Sequence, residues 1–227
     1  MDLNSKKQTF IRRIEHLILS GELKAGEKLP TERQLVEKYK TSRTVVNASL
    51  AALAQKGFIT VVPRKYTIVA DYKKQGTLDI LESIMTYNDG NLDAELIMHV
   101  LDARALIEIE SVRLAANNRT EDDLAMIKDF CDKEQFAKTI QEKIELDYLF
   151  HHSITIISKN AVYPLIYKSF EPLAKQYLSI FYKNLSDYQT IMTFHQNLYQ
   201  AIKNKNAEKA VNIMSEMLLQ GKQAIIK

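Results

Sequence analysis

Apolar residues in the opening stretch of the chain recur at helical spacing. Between Lys6 and Ser20, Ile11, Ile14, Leu17 and Ile18 share one face, and Gly21 stands where helices commonly end on a left-handed residue. GELKAGEKLP reads as a short loop. Thr31-Glu32-Arg33-Gln34 then has the form of a capping box, in which the Thr31 hydroxyl accepts from the Gln34 amide and the Gln34 side chain reaches back. Leu35, Val36 and Tyr39 supply the buried face of this second helix. Ser42 caps a third helix, whose Val46, Leu50 and Leu53 face inward and which ends at Gly57. The period then changes. FITVV and YTIVA, on either side of Pro63-Arg64-Lys65, read as a hairpin. Three helices followed by a hairpin make a winged helix-turn-helix.

Beyond Tyr72 the polar stretch Lys73-Lys74-Gln75-Gly76 reads as a linker, and no strand alternation follows it. Helical segments are expected near 77–88, 93–117, 120–133, 138–158, 162–183, 187–204 and 207–225. Thr120-x-x-Asp123 and Ser186-x-x-Gln189 are their clearest start signals. The fold class is therefore mostly α: a winged helix-turn-helix over 1–72, a linker over 73–77, and an all-helical bundle over 78–227.

Composition sharpens this picture. Only 6 Gly and 4 Pro in 227 residues argue against an all-β or loop-rich chain. The net charge of +3 conceals an asymmetry: residues 1–72 carry 13 Lys+Arg against 7 Asp+Glu, the remainder 18 against 21. A basic N-terminal third on a mildly acidic body suits an anion-binding module joined to something else, although a chance imbalance of solvated charge would look alike. The single cysteine, Cys131, leaves no internal disulfide framework and suits a reducing compartment. Arg12, Arg13, Glu15 and His16 interrupt any signal-peptide core, and no apolar run approaches the ~20 residues of a membrane span. The expected location is the cytoplasm.

The stretch LPTERQLVEKYKTSRTVVNASLAALAQKGFITVV resembles the DNA-binding domain of the GntR family of regulators. The resemblance spans about residues 8–70. It is carried by Leu29, Pro30, Thr31, Glu32 and Arg33, by Ser42, Arg43 and Val46, by Leu50 and Leu53, and by Gly57, Phe58 and Ile59. It implies double-stranded DNA as partner. Arg33 and Arg43 would be the main contacts. Arg43 and Thr44 open the recognition helix, where an Arg suits the O6 and N7 acceptors of guanine. Arg64 and Lys65 at the wing tip suit phosphates or a minor groove. Two departures stand out. Asn47 occupies the place of a second recognition-helix Arg, and Tyr66 is matched to a wing-tip Gly, so the wing is expected to turn differently. Loss of a cation weakens phosphate-driven affinity, while Asn can pair bidentately with adenine.

The remainder resembles the FadR or FCD branch, whose effector domain is all-helical. LDARALIEIESVRLAANN carries Arg104, Glu108 and Ala115-Ala116; DYLFHHSITIISKN carries Asp147 and His151; FHQNLYQAIKNKNAEKAVNIM carries His195. Asp147 and His151 are spaced i and i+4, so one helix face presents both and could chelate one cation, with His195 completing the set. The resemblance implies one divalent transition metal (zinc, nickel or manganese) and a further histidine, at whose position stands Met217. A thioether is a poor substitute toward these ions, with Asn197 or a water as candidate replacements. Three readings stay open. The trio binds metal, with water or an effector carboxylate in the vacancy; or it forms a metal-free polar pocket for an organic effector; or the histidines are satisfied core residues. His152 points elsewhere. Arg104 either meets an anionic effector of carboxylate or acyl type or forms an ion pair with Glu108. The aromatic residues at 163, 167, 170, 177, 181 and 182 read as core or dimer packing.

The expected function is a ligand-responsive, homodimeric transcription regulator, by family habit a repressor, reading a short palindrome. Two alternatives are a constitutive DNA-binding regulator with a decayed pocket and a metal-dependent hydrolase built on Asp147, His151 and His195. No general base at a credible spacing, phosphate loop or nucleophile elbow supports the hydrolase.

Overall fold

A computed structural model describes residues 3–87, 94–185 and 187–226. The chain divides into two compact units, Met1–Leu92 and Asp93–Lys227.

The first unit is the expected winged helix. Helix α1 (Leu3–Leu19) packs against α3 (Arg43–Lys56), α2 (Glu32–Tyr39) lies on α3, and strands β1 (Ile59–Val62) and β2 (Tyr66–Val69) form an antiparallel hairpin with Ile59 opposite Val69. Gly21 adopts φ 78° just beyond α1, and its N–H reaches the Ile18 carbonyl at 3.1 Å, as in a left-handed helix ending. The Thr31–Gln34 capping box forms in both directions, and Ser42 accepts from the Val45 amide. Ile14, Leu35, Val46, Leu53 and Phe58 are almost wholly buried in the core these elements share.

The segment read as a linker departs from expectation. Tyr72–Gln75 forms a short helix, α4, and α5 (Ile80–Tyr87) packs on α1, so residues 73–87 belong to the first unit. The cause is burial. Ile80 enters the winged-helix core, and the Ser83 hydroxyl donates to Glu15 at 2.8 Å while Lys56 reaches both at 2.9 Å. Polarity over four residues suggested a solvated tether, but Lys73 to Gly76 are only the exposed side of a segment held from both ends.

The second unit contains seven helices among the described residues: α6 (Ala94–Asn118), α7 (Glu121–Glu134), α8 (Ile140–Ile157), α9 (Tyr163–Ser169), α10 (Glu171–Asn184), α11 (Tyr188–Lys203) and α12 (Ala207–Ile226). The long helix α6 packs against α8, α11 and α12. The single helix expected over 162–183 is two. Pro172 lacks the N–H that would bond the Lys168 carbonyl, and Phe170 serves as the last cap of one helix and the first of the next. The start signal read at Ser186 lies outside the described residues; the Asp187 side chain accepts from the Gln189 amide instead. Among the described residues no helix is long and apolar enough to cross a membrane.

Thr120 and Asp123 form a second capping box, and the Asp123 carboxylate also meets Lys159 at 2.9 Å. Although partial burial opposes ionisation, the Lys159 and Thr120 hydrogen bonds hold this carboxyl below the usual range. Its folded value is depressed, so its contribution is present above the unfolded pKa, about 3.9, and is lost as pH falls through the folded value. Asp123→Asn, which keeps an oxygen for the Thr120 amide, is expected to lower stability at pH 7. The gap to the parent should close below about pH 4. Urea titrations at several pH values check this, and a gap that stays constant would refute it.

Candidate DNA-binding face and buried polar site

Arg43 is the first residue of α3, and with Thr44 and Asn47 it stands exposed on that helix. Arg33, Arg43, Arg64 and Lys65 come together with Lys28 around one open groove of about 480 Å³; Thr44 and Asn47 do not line it. The Arg43 Nε lies 3.2 Å from Glu32, and the Arg33 Nε 3.3 Å from Glu37. At the wing tip the turn lies before Tyr66. Tyr66 is an ordinary strand residue opposite Val62, with the Lys28 ammonium 4.8 Å from its ring centroid. The left-handed residue is Arg64, at φ 59°, and the Lys65 N–H bonds the Val62 carbonyl at 3.1 Å. With Pro63 holding φ negative before it, this is a type II turn whose glycine-favouring position holds arginine.

The second unit buries a cluster of charges from four helices, to which the other three add tyrosine hydroxyls and a thioether. Asp147 and His151 project from α8, His195 from α11, Arg104 and Glu108 from α6, Glu134 from the end of α7, Tyr167 from α9, Tyr177 and Tyr182 from α10, and Met217 from α12. The donor atoms of Asp147, His151 and His195 all lie within 4.8 Å of one another. Each imidazole is backed by a carboxylate: His151 Nδ1 is hydrogen-bonded to Glu108, and His195 Nδ1 to Glu134 at 2.6 Å. Both Nε2 atoms are thereby turned away from those carboxylates. His151 Nε2 lies 3.9 Å from Asp147, while His195 Nε2 is buried with no hydrogen-bond partner. The Tyr182 hydroxyl donates to the other Asp147 oxygen at 2.5 Å. Burial alone would lower the His195 pKa, but the Glu134 charge and hydrogen bond raise it above the ordinary imidazole value.

Arg104 donates to Glu108 at 2.8 Å and to the Tyr167 hydroxyl at 3.1 Å, with both partners buried. Burial would raise the Glu108 pKa, yet Arg104 and His151 hold it near 2. Of the two readings of Arg104, the ion pair with Glu108 is the arrangement present. Arg104, Asp147, His151 and Met217 line a cavity of only about 30 Å³, room for about one water. Asn197 is exposed and cannot stand in for the histidine that Met217 replaces. His152 stacks with Tyr148 and Tyr167 away from the trio.

Residues 6–69 match the bacterial regulatory proteins of the gntR family, and residues 99–220, more than half the chain, match the FCD domain. The chain belongs to the GntR family, in its FCD branch. It is 29% identical over 181 residues to a fatty acid metabolism regulator protein of Shewanella pealeana, covering 80% of this chain and 74% of that one. It is 33% identical over 156 residues to the Glc operon transcriptional activator of Escherichia coli K12, covering 66% and 59%. The solved structure of Lar of Listeria monocytogenes shares the fold, with a TM-score of 0.65 at 14% identity over 97% of this chain and 96% of that one. This GntR-family protein is accordingly a DNA-binding transcription regulator, and its relatives are regulators rather than enzymes.

Within this regulator, sequence reasoning did not find Glu134 or Tyr182 as site residues, and it placed Tyr167 and Tyr177 in packing alone. Glu134 carries no local signal at all, being 61 residues from its histidine. Tyr182 is one aromatic among many in α10, and only its hydroxyl against Asp147 distinguishes it.

Proposed function

We propose that this GntR-family regulator responds to a small ligand through a divalent cation held by Asp147, His151 and His195, and that it binds an operator as a homodimer through Arg33, Arg43, Thr44, Asn47, Arg64 and Lys65. The observation that carries the metal reading is the buried, unpartnered His195 Nε2, facing a second imidazole and a carboxylate. An orphan ring nitrogen in a dry core is costly without a partner, and both histidines have the carboxylate backing that metal-ligating imidazoles usually have. A bound cation supplies a Lewis-acid position for oxygen donors. Glu108 and Glu134 orient the two rings, and Tyr182 holds the outer oxygen of Asp147.

Met217 lines the cavity but brings only a weak donor, leaving a coordination position to water or to an effector carboxylate. Arg104, on the same cavity wall, is the cation such a carboxylate would meet. A cavity of about 30 Å³ has room for a water at that position, and an effector carboxylate would have to widen it. Effector binding then alters the DNA-binding state in proportion to its differential affinity for two arrangements of the dimer.

The test is metal content of tag-free protein and melting with and without chelator. Near one equivalent per chain is expected, with loss of binding in His151→Ala and His195→Ala. Metal at a hundredfold excess over Kd should add about 2.7 kcal/mol of stability. Absence of binding by zinc, nickel and manganese would sink the metal reading and leave a metal-free pocket for an organic effector or a decayed pocket in its place.

A further inference from the structure

We infer that Glu32 is a positioning residue for sequence readout: its carboxylate holds Arg43 by Nε so that the outer guanidinium nitrogens face the base edges. The inference rests on the DNA-binding reading of Arg43 given above.

Arg43 opens α3 with its side chain 79% exposed, at the positive end of the helix dipole. Nothing in a cation's own helix holds it there, and left alone it would sample many rotamers in water. Glu32 opens α2, and its Oε2 accepts from Arg43 Nε at 3.2 Å across 11 residues of sequence. The contact is at Nε. The four N–H groups of the outer nitrogens remain, and they form the fork that pairs with guanine O6 and N7. Both pairs are exposed, Arg43 and Glu32 at 79% and 43% and Arg33 and Glu37 at 91% and 65%. Arg33 and Glu37, however, pair one turn apart on one helix, whereas Glu32 reaches Arg43 from another helix and so fixes it against α2.

Glu32 also lines the basic groove with Lys28, Arg33, Arg43, Arg64 and Lys65. A negative charge there repels phosphates of every sequence alike, whereas fixing Arg43 helps only where a base accepts from it. Removing the charge therefore has opposite effects on the two kinds of binding, which a merely structural role for Glu32 would not produce.

The experiment uses the full-length protein and two duplexes: one enriched from a random-sequence pool by the parent protein, and a scrambled version of it. Glu32→Gln is expected to strengthen binding to the scrambled duplex while lowering the ratio of enriched to scrambled affinity by about tenfold. Glu37→Gln, which removes the same charge from a neighbouring pair, should strengthen both and leave the ratio alone. In an Arg43→Ala background, Glu32→Gln should no longer change the ratio. Melting curves check that α2 stays folded. A ratio unchanged or raised by Glu32→Gln would overturn the inference with the DNA-binding reading intact. Failure of the parent to enrich any sequence would overturn both.

Discussion

Glu108→Ala is expected to destabilise the helical unit by about 3–5 kcal/mol, because it leaves the Arg104 guanidinium charged in a dry interior. Arg104 and Glu108 are 3% and 1% exposed, so bulk solvent cannot readily take the place of the carboxylate. Arg104 cannot escape by losing its proton, since its pKa lies above even the normal arginine value: burial works against the charge, and Glu108 more than restores it. The same carboxylate holds His151 Nδ1, so the variant should also lose metal affinity. Urea unfolding and metal titration measure the two effects separately. A double variant, Arg104→Met with Glu108→Leu, removes both charges and should recover much of the stability, because replacing a whole buried pair is often close to neutral. It should not recover metal affinity. If the single variant costs less than about 1 kcal/mol, the ion pair is not the buried arrangement described above.

Gly57→Ala is expected to cost the DNA-binding unit about 2–4 kcal/mol, from backbone strain and overlap together. Gly57 caps α3 at φ 87°, and an added Cβ would lie 2.3 Å from the Gln75 carbonyl oxygen and 2.8 Å from Gly76 Cα. Both neighbours are backbone, anchored by the Thr77 N–H to the Lys56 carbonyl at 3.1 Å, so they cannot swing aside as a side chain would. The recognition helix is thus clasped at its end by the segment that leads to α5. Gly21→Ala is the control. Gly21 has φ 78° but nothing within 4 Å of its added Cβ, and should cost only roughly 1 kcal/mol. Equal losses in the two variants would show that the clash at Gly57 is relieved cheaply and that α4 is a looser strap than its contacts suggest.

Much of this was legible in the residues. The caps at Thr31, Ser42 and Thr120, the stop at Gly21 and the hairpin around Pro63 all form as read, because each depends on a few neighbouring residues. Asp147 and His151 could be placed together for the same reason: one turn of helix sets their spacing. At the wing the turn forms at Pro63-Arg64-Lys65 as read, and the structure adds that Arg64 is its left-handed residue, closed by the hydrogen bond from the Lys65 N–H to the Val62 carbonyl. The polar run at 73–76 suggested a tether because its side chains face water, while what fixes it is backbone contact at Gly57 and the burial of Ile80 and Ser83 further on.

By itself the sequence determined the winged helix, the all-helical character of the rest and the family. Only the tertiary structure decided which charges meet. Glu108 is 43 residues from His151, and Glu134 is 61 from His195. No propensity, cap or period reaches that far. Such pairs exist because seven helices close over a shared interior, where each buried charge must find its partner in whatever helix the packing brings alongside it.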